Sequence, residues 1–105
     1  TGYSLNCGGP ILYPGTSIFV LTAIAPHNLS VRPLVIGDHK ELTFEVDGRG
    51  DDFLVTIDSR SESIPKGSIL KVKRANFDFH MIRLNEQSYA KTLRNKLLWG
   101  IDKRN

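Results

Sequence analysis

Leu42-Thr43-Phe44-Glu45-Val46-Asp47-Gly48-Arg49-Gly50-Asp51-Asp52-Phe53-Leu54-Val55-Thr56-Ile57 is the stretch on which the fold turns. Leu42, Phe44 and Val46 alternate with Thr43 and Glu45. Phe53, Val55 and Ile57 alternate in the same way beyond. Each run has the pattern of a strand with one apolar face. Asp47 to Asp52 (DGRGDD) between them holds glycines and aspartates, which favour turns. The three parts together predict a β-hairpin.

Upstream, Ile18, Phe19, Val20 and Leu21, continued by Ala23 and Ile24, form an apolar run of the kind found in a strand buried on both faces. Leu34, Val35 and Ile36 make a short run closed by Gly37-Asp38. Downstream, Pro65-Lys66-Gly67 marks a turn before Ile69, Leu70 and Val72. Asn76 then precedes a last run of Phe77, Phe79, Met81 and Leu84. About six strands at spacings of roughly 10–15 residues predict a mainly β, antiparallel, sandwich-like domain.

The two ends differ from this body. Thr1 to Cys7 fits one or two helical turns, stopped by Gly8-Gly9-Pro10. Near the other end, Tyr89, Leu93 and Leu97 recur every four residues, predicting an amphipathic helix from about Ser88 to Trp99. Ser88 suits its N-cap and Gly100 its stop. Its apolar stripe must pack on this domain or on other parts of the polypeptide. A chain opening on a glycine-stopped turn, without an initiating methionine, is expected to be a piece of a longer polypeptide.

At 105 residues the chain has room for one domain. With 40% apolar and 24% charged residues it reads as globular, not disordered. Cys7 is the only cysteine, so neither an internal disulfide nor a thiolate zinc cluster can form. No apolar run approaches the roughly 20 residues of a membrane span, and residues 1–25 lack the basic start and long apolar run of a secretory leader, so none is expected. The cytoplasm is the expected location.

The net charge is +3, and its position matters more than its size. Residues 91–105 hold five basic groups against one acidic, whereas the other ninety hold nine against ten. A nucleic-acid surface would need a basic stripe with interleaved aromatics across the domain. None is present, so no nucleic-acid partner is expected.

His27, His39 and His80 fall on different predicted elements without metal-ligand spacing, and read as structural or surface histidines. No nucleophile elbow, Walker loop, GxGxxG fingerprint or HExxH helix occurs. Arg49-Gly50-Asp51 and Asn28-Leu29-Ser30 spell adhesion and glycosylation signals that require export, and read as coincidences.

Three segments concentrate chemistry. In Thr1-Gly2-Tyr3-Ser4-Leu5-Asn6-Cys7-Gly8-Gly9-Pro10, Tyr3 suits stacking on a base or nicotinamide ring. Thr1, Ser4 and Asn6 suit hydrogen bonds to ribose or amide groups, and free N–H groups at a helix start favour phosphate. The bland alternative is a capped turn whose tyrosine joins the core. The second segment, Ala25-Pro26-His27-Asn28-Leu29-Ser30-Val31-Arg32-Pro33, is a proline-bracketed polar loop after a strand. The third, Ile57-Asp58-Ser59-Arg60, is a strand end running into polar groups. Sites gather at such places, though ordinary turns occupy them too.

In this order the three segments resemble the C-terminal domain of the NAD kinase family. The family block T-[AG]-Y-x-x-S-x-G-G-P is matched by Thr1, Gly2, Tyr3, Gly8, Gly9 and Pro10. A P-H-S-L-S-x-R-P-type block is matched by Pro26, His27, Leu29, Ser30, Arg32 and Pro33. A strand ending in D-G-[QR] or D-S-Q is matched by Asp58, Ser59 and Arg60. Asn6 replaces the usual serine of the first block, and Arg60 the frequent glutamine of the third. An arginine there could pair with a phosphate.

The resemblance implies an enzyme that transfers the γ-phosphoryl of ATP, or a phosphoryl of polyphosphate, to the 2′-hydroxyl of the adenosine ribose of NAD. A divalent metal such as Mg2+ assists in the family. The family's G-G-D-G-T motif, which handles the donor phosphates and supplies the catalytic aspartate, belongs to an N-terminal domain and is absent here, as is its N-E motif. By resemblance, Thr1, Gly2, Tyr3, Ser4, Leu5 and Asn6 would line the NAD pocket. Ala25 and His27 would approach the NAD of a neighbouring subunit in a homodimer or homotetramer. Asp58, Ser59 and Arg60 would lie near the ribose that is phosphorylated. The 105 residues alone are expected to have no kinase activity. Two other readings stay open: the second domain of a related lipid kinase, which would need a greasy cleft, and a non-catalytic β-sandwich module using its basic tail on an anionic partner.

Overall fold

The computed structural model describes residues 2–82 and 88–102. Thr1, Leu84 at the end of the last predicted strand, and Lys103 and Arg104 of the basic tail lie outside the described residues. Eight elements follow in order: α1 (Tyr3–Asn6), β1 (Ile18–Leu21), β2 (Leu34–Gly37), β3 (Leu42–Glu45), β4 (Asp52–Ile57), β5 (Arg60–Pro65), β6 (Ile69–Val72) and α2 (Tyr89–Leu97). The architecture is mainly β and antiparallel, with two short helices, as the sequence predicts. No helix of the described residues is long and apolar enough to cross a membrane.

The strands form three antiparallel ribbons, β1 with β2, β3 with β6 and β4 with β5. The predicted hairpin of residues 42–46 with 53–57 does not form. Instead β4 turns back at Asp58-Ser59 onto β5, pairing from Ile57 opposite Arg60 to Asp52 opposite Pro65. A two-residue turn costs less closure entropy than the longer DGRGDD connection, so β5 takes the edge that β3 would have used. β3 then pairs with β6, Leu42 opposite Val72 and Glu45 opposite Ile69. The DGRGDD loop is held to the base of the β4–β5 hairpin by Lys66. Its Nζ donates to the Gly48 carbonyl at 2.7 Å and lies 3.4 Å from Asp47, and its backbone N–H donates to the Asp51 carbonyl at 2.6 Å.

The last predicted strand is a second correction. Phe77, Phe79 and Met81 lie in irregular chain and are 74%, 90% and 69% exposed. The sixth strand is β5, whose Ser61, Glu62 and Ser63 hide it from a hydrophobicity pattern. Nor is the run from Ile18 buried on both faces: β1 is half-buried throughout and ends at Leu21.

The helices match the sequence closely. α1 is a single turn closed by Gly8 in a left-handed conformation at φ +83°. At α2, the Ser88 hydroxyl accepts from the Lys91 backbone N–H at 3.2 Å, the predicted N-cap. The helix stops earlier than Gly100: Leu98 takes the left-handed conformation at φ +54°, and the Trp99 N–H reaches back to the Leu93 carbonyl at 3.4 Å. The Leu98 N–H also points to the Leu93 carbonyl, so the last turn closes on one acceptor. The helix docks by its first turn. The Tyr89 hydroxyl donates to the Leu12 carbonyl at 2.7 Å, and the Tyr89 ring meets Tyr13 edge to face at 5.2 Å. Arg74, 3.2 Å from Asp38, ties the end of β6 to the end of β2.

The ribbons enclose no core of their own. None of the described side chains is fully buried. The radius of gyration is 17.4 Å, against about 13 Å for a compact chain of this size. The accessible surface is 9910 Å², against about 5900 Å² for a compact monomer. Leu34, Val35, Leu54, Ile57 and Ile69, all on strands, are each more than half exposed. These strands therefore present apolar area that a second layer would cover.

Candidate functional site

α1 is too short to persist by itself, since helix nucleation is costly. Four backbone bonds wind it into the following glycines. Asn6 N–H donates to the Gly2 carbonyl at 2.9 Å, Cys7 to Tyr3 at 3.0 Å, Gly8 to Leu5 at 3.1 Å and Gly9 to Ser4 at 2.6 Å. A side-chain bond adds to these, the Ser4 and Thr22 hydroxyls lying 2.7 Å apart. Of the described residues of α1, Tyr3 is the one that lines a cleft.

The Tyr3 ring is 64% exposed and forms one wall of a cleft of about 770 Å³ lined by Tyr3, Ile24, Thr56, Asp58 and Ser59. The volume lies within the range of small-molecule sites, roughly 300–1,000 Å³. Tyr3 and Ile24 supply apolar surface, and Thr56, Asp58 and Ser59 supply two hydroxyls and a carboxylate from the end of one hairpin. The Thr56 hydroxyl lies 2.9 Å from that of Ser61, its cross-strand partner.

The hairpin tip is strained. Asp58 is the first of two central turn residues and takes φ +52°, as the mirror-type hairpin turns require. Aspartate tolerates this better than most residues, and glycine better still. In urea titrations, Asp58→Ala is expected to be about 1 kcal/mol less stable than Asp58→Gly. Both substitutions remove the carboxylate, so their difference isolates the backbone. Equal stabilities would show that the turn does not need its left-handed residue.

Of the residues singled out in the sequence, Tyr3, Asp58 and Ser59 come together in this cleft. Gly2, Ser4, Leu5 and Asn6 share α1 or its cap but do not line it, and Thr1 lies outside the described residues. Arg60 begins β5 directly after Ser59 and makes no ion pair among the described residues. Ala25 and His27 lie on the loop just beyond Ile24, with Ala25 at φ +49°. That loop is fixed from within. Asn28 Oδ1 accepts from the Ser30 N–H at 2.9 Å, and Arg32 donates to the Leu29 and Val31 carbonyls, each at 2.9 Å. Asn28 and Arg32 are thus engaged in shaping the loop.

Ile24 and Thr56 line the cleft but were not singled out from the sequence. Ile24 reads as the tail of the β1 apolar run and Thr56 as an outward strand residue. A signal for Thr56 did exist: it stands two residues before Asp58, and side chains at i and i+2 share a strand face. Among the described residues no cluster of three or more His, Cys, Asp or Glu could hold a metal ion. The described residues therefore do not form a metal centre of their own.

The family model for the ATP-NAD kinase C-terminal domain matches residues 1–84. The chain is 54% identical over all 105 residues to an NAD kinase of Flavobacterium johnsoniae and 53% identical over the same length to one of Flavobacterium psychrophilum. It is 40% identical over 104 residues to an NAD kinase of Bacteroides fragilis. In each case it spans 36% of the relative's length.

Proposed function

This chain belongs to the ATP-NAD kinase C-terminal domain family, and from that premise we propose that it forms the NAD-binding and oligomerising part of a cytoplasmic NAD kinase. The whole enzyme would transfer a phosphoryl group from ATP or polyphosphate to the 2′-hydroxyl of the adenosine ribose of NAD. The observation that carries the reading is the cleft that gathers Tyr3, Asp58 and Ser59 from well-separated parts of the family-matched segment. Relatives of 40–54% identity named as NAD kinases support it.

In this reading the Tyr3 ring packs against a planar ring of NAD, with Ile24 as an apolar neighbour. The Asp58 carboxylate accepts hydrogen bonds from ribose hydroxyls, and the Thr56 and Ser59 hydroxyls hold the sugar's remaining polar edge. Arg60 follows at the start of β5, where its guanidinium is available to a phosphate. Gly2, Leu5 and Asn6 back the Tyr3 wall, and Ala25 and His27 serve the NAD site of a neighbouring subunit in a homodimer or homotetramer. The open apolar faces support such assembly, and also cover by an N-terminal domain.

Phosphoryl transfer depends on positioning and on stabilising charge on the donor phosphates. The residues here can position the acceptor, and the donor-handling motif of the family is absent from the 105 residues. The full-length polypeptide is therefore expected to form NADP from NAD and ATP or polyphosphate, read by a dehydrogenase that accepts only NADP. Residues 1–105 alone are expected to form none. A full-length protein inactive with either donor would overturn the reading, and an active isolated chain would overturn its division of labour.

A further inference from the structure

The hydroxyls of Ser4 and Thr22 lie 2.7 Å apart, eighteen residues apart in sequence. Ser4 follows Tyr3 directly, and Ile24 stands two residues beyond Thr22. Among the described residues, Tyr3 and Ile24 are the two apolar ones lining the cleft. One bond therefore joins the segments that carry both. The same serine is held through its backbone, its carbonyl accepting from the Gly9 N–H at 2.6 Å. Gly9 is required there by space, because a Cβ would stand on the Ser4 hydroxyl and 2.6 Å from the Ser4 carbonyl oxygen.

We infer that Ser4 and Thr22 form a positioning clasp that sets the separation of Tyr3 from Ile24 and so pre-organises the cleft for NAD. The inference rests on the proposed NAD-binding reading and deepens it by assigning a role to Thr22. A one-turn helix has few internal bonds to fix its direction. Without the clasp α1 pivots on its glycines, and Tyr3 samples orientations that ligand binding must then restrict. Holding a site in its bound geometry raises affinity by lowering that ordering cost. Thr22 touches no ligand in this scheme; it acts through Ser4.

The test uses steady-state kinetics of the full-length enzyme with NAD as the varied substrate. Ser4→Ala and Thr22→Val are each expected to raise KM for NAD about fivefold, the scale of one hydrogen bond, with kcat within twofold. The double variant is expected to be no worse than either single one, because both remove the same bond. Thr22→Ser, which keeps the hydroxyl, is expected to restore KM, and melting temperatures should stay close to that of the parent.

If Ser4→Ala raises KM but Thr22→Val does not, Ser4 is a direct ligand contact and the clasp is wrong. Multiplying effects in the double variant, or a Thr22→Ser variant as impaired as Thr22→Val, would equally overturn it. So would a KM effect that tracks a fall in melting temperature. An inactive parent enzyme would instead remove the NAD-binding reading itself.

Discussion

Gly9→Ala is expected to be among the most damaging single-methyl additions in this chain. The new Cβ would fall on the Ser4 hydroxyl and lie 2.6 Å from the Ser4 carbonyl oxygen and 3.0 Å from its carbonyl carbon. Two of these atoms are backbone, so no rotamer change relieves the clash. The Gly9 N–H also bonds the carbonyl that its methyl would strike. Relief requires α1 to swing away, breaking that bond and the Ser4–Thr22 contact together. Overpacking and the lost hydrogen bond sum to about 2–4 kcal/mol, or roughly thirtyfold to a thousandfold in kcat/KM for NAD. Gly8→Ala is the control. Gly8 has φ +83° and open space around its would-be Cβ, so alanine there costs only left-handed strain of about 1–2 kcal/mol. A Gly9→Ala enzyme at least as active as Gly8→Ala would show that the close approach at Gly9 does not support the site.

This contrast also marks what could be read from the sequence. Gly8-Gly9-Pro10 announces the end of a helical turn, and the turn is there. That Gly8 answers to backbone conformation and Gly9 to space depends on which atoms come close, and spacing carries no such information. The same division runs through the strands. Leu42, Phe44, Phe53 and Val55 are apolar at period two, and all are half-buried. Their pairing differs from the hairpin the pattern predicts because alternation specifies a face and not a partner. The deciding feature was the short Asp58-Ser59 turn, which the sequence presents only as a polar strand end. β5 escaped because Ser61, Glu62 and Ser63 leave Ile64 as its one half-buried residue.

The candidate site was legible in part for a related reason. Tyr3, Asp58 and Ser59 stand out by residue type within recognisable blocks. Ile24 and Thr56 are ordinary strand-like residues that enter the cleft only through the fold. Loop residues such as Asn28 and Arg32 stand out equally by type, yet they bond their own backbone. Residue chemistry nominates candidates. Whether a polar group faces a ligand or closes its own loop is settled by local geometry.

Tyr3→Ala separates the two readings of the opening segment, a ligand wall and a capped turn whose tyrosine joins the core. The side chain is 64% exposed, and its hydroxyl makes no hydrogen bond among the described residues. Removing it should therefore change stability by no more than about 0.5 kcal/mol, as for an ordinary surface site. Against a planar ligand ring, the same substitution removes a contact of about 1–3 kcal/mol, or roughly fivefold to 150-fold in kcat/KM for NAD. Tyr3→Phe keeps the ring face and is expected to stay within about threefold of the parent, since the hydroxyl has no protein partner to lose. The informative result is the pair of readouts taken together. A large loss of NAD affinity at unchanged melting temperature places the ring on the ligand. A lowered melting temperature at unchanged KM would assign Tyr3 to packing, and the cleft would then need another aromatic wall to hold a dinucleotide.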